Sequence, residues 1–156
     1  MTYNNELDYT RIKTLREENG YSQKDIAEFL KINQSTYSKF ELMKSNITIE
    51  KLNDLANFYD VSLDYILKLS DKKEISLKNK HLDNQVIGKN LKTIREEKKL
   101  YQDTLAKNIG TSHSLISEYE HGKKMLSLTY GYAICKKYNI SMDYLYGKVN
   151  SPKHLK

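Results

Sequence analysis

The chain has 156 residues, 38% of them apolar, and a net charge of +6 with a pI near 9.1; that allows one ordinary domain or two very small ones and argues against wholesale disorder. No apolar run approaches the ~18 residues a membrane span needs, and the opening MTYNNELDYT lacks the apolar stretch of a secretory signal, so a soluble, cytoplasmic chain with no membrane partner is expected. The basic balance favours a polyanionic partner, and the single cysteine, Cys135, excludes an internal disulfide and reads as a buried small hydrophobe.

Taken in chain order, Tyr9, Ile12 and Leu15 recur at helical spacing and predict a first helix. Ser22 with Asp25 three residues on is close to a capping box, so a second helix is expected from there. Asn33 is the expected cap of a third helix, Thr48 of a fourth and Ser62 of a fifth. The fourth helix is expected to bury Leu52, Leu55, Ala56 and Tyr59, and the fifth Leu63, Ile66 and Leu67. The stretch 71–84, DKKEISLKNKHLDN, is charged and apolar-poor and reads as a linker, able to span up to ~50 Å if fully extended. Beyond it the same signals return. Ile87, Leu91 and Ile94 form a stripe, Ser112, Ser127 and Ser141 are expected caps, and Ile134, Cys135, Tyr138, Met142, Leu145 and Tyr146 are expected core. The tail 150–156 contains the sole proline and is expected to fray.

The return is a repeat. An offset of 79 residues aligns Ile12 to Lys68 with Leu91 to Gly147 without a gap, with roughly 15 of about 57 positions identical. Apolar positions match most consistently: Leu15 with Ile94, Ile26 with Leu105, Leu30 with Ile109, Phe40 with Tyr119 and Val61 with Ile140. Two units are too few for a solenoid, so tandem all-α domains of five helices each are expected, at 1–70 and 85–149. Within each, helices two and three are about three residues apart, the spacing of a helix-turn-helix. Ala27 and Ala106 fall where such helices cross closely. Gly110 supplies the permissive turn residue in the second copy; Lys31 stands there in the first, so that turn is expected to be strained or differently shaped.

The third helix raises the functional question. Gln34, Ser35, Ser38 and Lys39 form a polar face opposite Tyr37 and Phe40, a surface suited to touching something. LREENGYSQKDIAEFL, NQSTYSKFE, EHGKK and the closing SLDYIL or SMDYLYG together resemble the Cro and phage-repressor class of helix-turn-helix domains, the XRE family. The resemblance covers nearly all of both units. It implies compact five-helix domains that place helix three in the major groove of double-stranded DNA, usually as a dimer on a near-palindromic site, with no cofactor and no catalytic centre. It further implies backbone phosphate contacts from Gln23 and Gln102, base contacts from Gln34, Ser35 and Lys39 and from His113, Ser114 and Glu118, and a phosphate contact from Lys44 and Lys123. The caps Asn33 and Ser112 and the intervening Ser38 and Ser117 complete the candidate surface.

Elementary chemistry agrees with this assignment. Helix N-termini carry partial positive charge and seat phosphates. Gln pairs with adenine N6 and N7, Lys donates to guanine O6 or N7, and a carboxylate such as Glu118 repels phosphate unless it accepts from cytosine N4. His113 and His121 lie eight apart, beyond one helical turn, so no metal is expected. No nucleophile elbow or phosphate-cradling glycine loop occurs, so no enzyme is expected. The tyrosines fall mostly at core spacing, where core or dimer packing outweighs nucleobase stacking. Residues 8–70 carry nine basic and ten acidic residues, and 87–149 carry eleven and six, which suits the second copy to backbone electrostatics and the first to base readout. A repressor in a bacterium or phage is the leading expectation, with a homodimer as an expected state and any effector left open. A protein-interaction module, such as an antitoxin or an anti-repressor partner, is the alternative.

Overall fold

In the computed structural model, residues 7–73 and 77–155 are described. They form ten helices and no strand, divided between two compact units, one over 7–73 and the other over 77–155. The first holds α1 (Arg11–Glu18), α2 (Gln23–Leu30), α3 (Gln34–Glu41), α4 (Ile49–Tyr59) and α5 (Leu63–Ile66); the second holds α6 (Asn84–Glu97), α7 (Gln102–Ile109), α8 (His113–Glu120), α9 (Leu128–Tyr138) and α10 (Met142–Leu145). The all-α pair of five-helix units follows the sequence reading.

Local chemistry starts each helix where the caps lie. Ser22 and Asp25 form a reciprocal capping box at α2; Asn33, Thr48 and Ser62 cap α3, α4 and α5 by accepting from the backbone three residues on. Ser112, Ser127 and Ser141 do the same for α8, α9 and α10. Such a cap satisfies a backbone N–H that the helix cannot, a contribution of about 1 kcal/mol. Tyr101, in the place of Ser22, gives α7 no side-chain cap. Lys31 adopts the same left-handed turn as Gly110, with φ of 59° against 78°, so the turn after α2 keeps its shape and bears a strain of about 1 kcal/mol.

The cores contain the residues the helical stripes point to. Ile12, Leu15, Ile26, Leu30, Leu52, Leu55, Leu63, Ile66 and Leu67 are buried in the first unit, and Leu91, Ile94, Leu105, Ile109, Ile134, Cys135, Met142, Leu145 and Tyr146 in the second. Tyr59 and Tyr138 are only half-buried. Tyr9 is buried but lies before α1 rather than on it; its hydroxyl donates to Ser45 O at 2.5 Å and accepts from Ile47 N at 3.4 Å. The equivalent residue in the second unit is Gly88, inside the longer α6. A Cβ there would stand 2.4 Å from Tyr119 O and 2.7 Å from Glu120 O, so α6 crosses the end of α8 at a distance only glycine permits.

A second exchange concerns helix four. Leu52 and Leu67, both buried, correspond to Gly131 and Tyr146. The Tyr146 ring fills the space beside Gly131, its hydroxyl lying 2.1 Å from where a Cβ would be, and that hydroxyl reaches Leu126 O at 2.8 Å and Ser127 O at 2.9 Å. Lys148 is fully buried, and burial pushes its ammonium down to about 8, against the opposing pull of Asp143.

The stretch read as a linker is held at both described edges. Lys73 O accepts from Ser62 N at 3.0 Å and Asp71 pairs with Arg11 at 2.8 Å, while Lys148 O accepts from Lys78 N at 2.9 Å. Residues 74–76 of that stretch, the first six residues assigned to the first domain and the last residue of the tail lie outside the described residues. The tail expected to fray is docked instead. Ser141 N donates to Lys153 O at 2.8 Å, Leu155 N to Asn139 O at 3.0 Å, and Lys153 Nζ pairs with Glu97 at 2.6 Å. Two backbone bonds thereby hold 153–155 against the junction between α9 and α10, beyond Pro152.

One polar network recurs in both units. The Arg16 guanidinium meets the Glu41 carboxylate through two parallel bonds, Nε to Oε2 at 2.6 Å and Nη2 to Oε1 at 3.0 Å, and its Nη1 donates to Tyr21 O at 3.0 Å. Gln23 Nε2 donates to the same carboxylate at 3.0 Å. Arg95, Glu120, Leu100 O and Gln102 repeat this at 2.7, 3.0, 2.8 and 3.0 Å. Burial pushes the Glu41 carboxyl up, but the hydrogen bonds from Arg16 and Gln23 and the Arg16 charge outweigh it and hold the group below its ordinary 4.5.

Two outcomes follow. Gly88→Ala should destabilise the second unit by about 1–3 kcal/mol through forced overpacking, read as faster amide exchange confined to α6–α10. Glu41→Gln should cost the first unit about 3 kcal/mol at pH 7, because Arg16 keeps its charge without its partner. Since the folded value of Glu41 lies below the unfolded one, its contribution is present above the ordinary 4.5 and is lost as pH falls through the depressed value. The stability gap between wild type and Glu41→Gln, measured by urea unfolding, should therefore close in acid.

Candidate nucleic-acid interface

In each unit the second and third helices are joined by a short turn, α2 to α3 through 31–33 and α7 to α8 through 110–112. Ala27 and Ala106, each 2% exposed, sit at the crossing. The apolar side of α3, Tyr37 and Phe40, is buried, as are Ile116 and Tyr119 of α8. That burial turns the opposite side outward.

The sequence-predicted residues divide accordingly. Asn33, Gln34, Ser35, Lys39 and Lys44 are exposed in the first unit, and Ser112, His113, Ser114 and Lys123 in the second; Ser38, Ser117, Glu118, Gln23 and Gln102 are half-buried. Asn33 Oδ1 accepts from Thr36 N and from Ser35 Oγ, both at 2.8 Å, so the start of α3 is rigidly framed. Lys44 N donates to Lys39 O at 2.8 Å and Lys123 N to Glu118 O at 2.9 Å. This closes the C-terminal turn of each third helix and sets the lysine just past it. Left-handed residues make that turn: Met43 at φ 58° and Gly122 at φ 71°.

Charge is arranged differently in the two copies. Among the described residues Lys39 has no carboxylate within ion-pair range, whereas its counterpart Glu118 pairs with Lys124 at 3.4 Å. His113 Nδ1 lies 3.7 Å from Asp103 across the turn, both side chains being exposed. Ser117 O and His121 Nδ1 are 2.7 Å apart, which occupies Ser117 with its own helix end. Among the described residues no three His, Cys, Asp or Glu side chains gather as a metal site, and no helix is long and apolar enough to cross a membrane.

Gln23 and Gln102 have a structural role that sequence reasoning missed. One N–H of each Nε2 holds the buried carboxylate of Glu41 or Glu120; the other remains for an acceptor such as phosphate oxygen. Each amide is thus presented in a fixed pose at the start of its helix. The available signal was the identity of Arg16 with Arg95 and Glu41 with Glu120 across the repeat. Tyr101 was also missed as a surface group: it is 81% exposed beside Gln102.

A family model described as helix-turn-helix matches residues 12–66 and again 91–145. The chain is 35% identical over 88 residues to the HTH-type transcriptional regulator ImmR of Bacillus subtilis, covering 56% of this chain and 67% of that protein. It is 40% identical over 58 residues to the SPbeta prophage-derived regulator YonR of the same organism, covering 37% and 54%, and 38% identical over 56 residues to the antitoxin PezA of Streptococcus pneumoniae, covering 36% and 35%. No solved structure matches it. The two matches, one on each half of a chain whose caps, crossing alanines and turn repeat at an interval of 79 residues, establish that it belongs to the helix-turn-helix family of Cro and phage-repressor type.

Proposed function

We propose that this chain is a sequence-specific regulator of transcription that binds double-stranded DNA and represses by occupying operator sites in the cytoplasm, with α3 and α8 lying in major grooves. The observation that carries this reading is the outward polar start of each third helix, with Gln34, Ser35, His113 and Ser114 exposed above a buried apolar side. Gln34 and Lys39 read base edges in the first unit and His113, Ser114 and Glu118 in the second. Gln23, Gln102, Lys44 and Lys123 hold phosphates and set register without selecting sequence.

The domains at 1–70 and 85–149 address one half-site each, spaced ~34 Å on the duplex. Because the third helices differ, the site is asymmetric rather than a perfect palindrome. Glu118, partly neutralised by Lys124 at 3.4 Å, accepts from cytosine N4, which reverses the preference of Lys39.

A second reading draws on the likeness to the antitoxin PezA: the units would then bind chiefly protein. A salt titration of duplex binding separates the two. Contact with several phosphates makes affinity fall steeply as salt rises, whereas an absence of duplex binding at low salt favours the second reading. Gln34→Ala should relax selection at one base by about 1–3 kcal/mol, while Lys123→Ala should weaken all sequences alike and reduce the salt slope by about one. Selection from randomised duplexes measures both. If the two changes affect every sequence equally, the division into readers and phosphate holders is wrong.

A further inference from the structure

Helices α2 and α4 of the first unit end together in a corner unlike anything at the same place in the second. Tyr21, Phe29 and Phe58 are 39%, 42% and 38% exposed, and their rings form one cluster, with centroids 4.4 Å apart for Phe29 and Phe58 and 5.2 Å for Tyr21 and Phe58. Single exposed apolar side chains are ordinary, but three contiguous rings are a patch. Asp25 and Asp54 stand one helical turn before Phe29 and Phe58, and Glu28 and Asp60 flank them, all exposed. The corner is aromatic with an acidic rim.

In the second unit the corresponding corner is built by α7 and α9, whose ends meet where Asn108 Nδ2 donates to Tyr138 OH at 2.9 Å. There Phe29 is replaced by Asn108, Phe58 by Lys137, Asn57 by Lys136, Glu28 by Lys107 and Asp60 by Asn139. Lys107, Lys136 and Lys137 are exposed. Lys31 against Gly110, beside the helix ends, and Lys24 against Asp103, one turn before Glu28 and Lys107, run the other way. None of these residues belongs to the candidate DNA surface.

The geometry points to a second copy of this chain as the occupant: we propose that the Tyr21–Phe29–Phe58 corner of one molecule docks on the Lys107–Lys136–Lys137 corner of another. Ring faces attract ammonium groups, and the carboxylates around them match the remaining lysine charge, so each corner supplies what the other lacks. Exchanged reciprocally between two molecules, the two contacts make a closed dimer.

The test is analytical ultracentrifugation of the full chain without DNA, up to about 100 µM in low salt, where surface electrostatics are least screened. Wild type is expected to dimerise. Glu28→Lys with Asp54→Lys, and separately Lys136→Glu with Lys137→Glu, should each weaken the dimer at least about tenfold by setting like charges face to face. An equimolar mixture of the two double variants should restore it, because every contact then pairs an acidic with a basic corner. Unchanged circular dichroism confirms that the exposed substitutions leave the fold intact. A wild type that stays monomeric throughout, or a dimer indifferent to both swaps, or a mixture that fails to recover, overturns the proposal.

Discussion

Each unit depends on one buried ion pair made between distant segments: Arg16 with Glu41, and Arg95 with Glu120, at 2.6 and 2.7 Å. The carboxylates are 2% and 3% exposed, a burial that would be prohibitive without the fork of the guanidinium and the extra donor from glutamine. The same guanidinium takes the carbonyl that ends the loop before helix two. Helix one, the following loop, the first residue of helix two and the last residue of helix three are thereby tied to a single point. For a domain of this size, whose apolar core is small, such a tie sets the angle between helices two and three, a property that apolar packing specifies only loosely.

That tie also reaches the candidate surface. The glutamine that completes the network is the residue proposed to hold phosphate, and its hydrogen bond to the buried carboxylate fixes the pose of its amide. Pre-ordering of a contact group removes part of the entropy cost of binding. The outward side of helix three receives the same benefit from its cap, since Asn33 fixes Ser35 through a direct side-chain bond as well as the backbone of Thr36.

Much of the architecture was legible in the sequence because it is local. Caps such as Ser22, Asn33 and Ser141 act over three residues, and helical stripes over a few turns, so both can be read from a window of the chain. What escaped was non-local. Arg16 and Glu41 are 25 residues apart, and a charged pair reads as surface until its burial is seen. Tyr9 keeps the spacing of a helical stripe yet lies outside the helix, because its hydroxyl is drawn to the loop around Ser45 and Ile47. The tail looked free because Pro152 breaks regular structure, but the backbone beyond it finds acceptors and donors at Asn139 and Ser141. Of the candidate surface, the outward set at the start of helix three was legible from its polar periodicity; the restraint on Gln23 and Gln102 was not.

Leu52 with Leu67 in one half, and Gly131 with Tyr146 in the other, fill corresponding space by opposite divisions of bulk. Neighbouring modules of similar sequence run a known hazard during folding, since an element of one can settle into the vacancy meant for its twin. Here such a mistake is self-limiting: a leucine-bearing fourth helix has no room beside the tyrosine, and a glycine-bearing one leaves a hole beside the leucine. The duplicated chain thus carries a steric key by which each half accepts only its own parts.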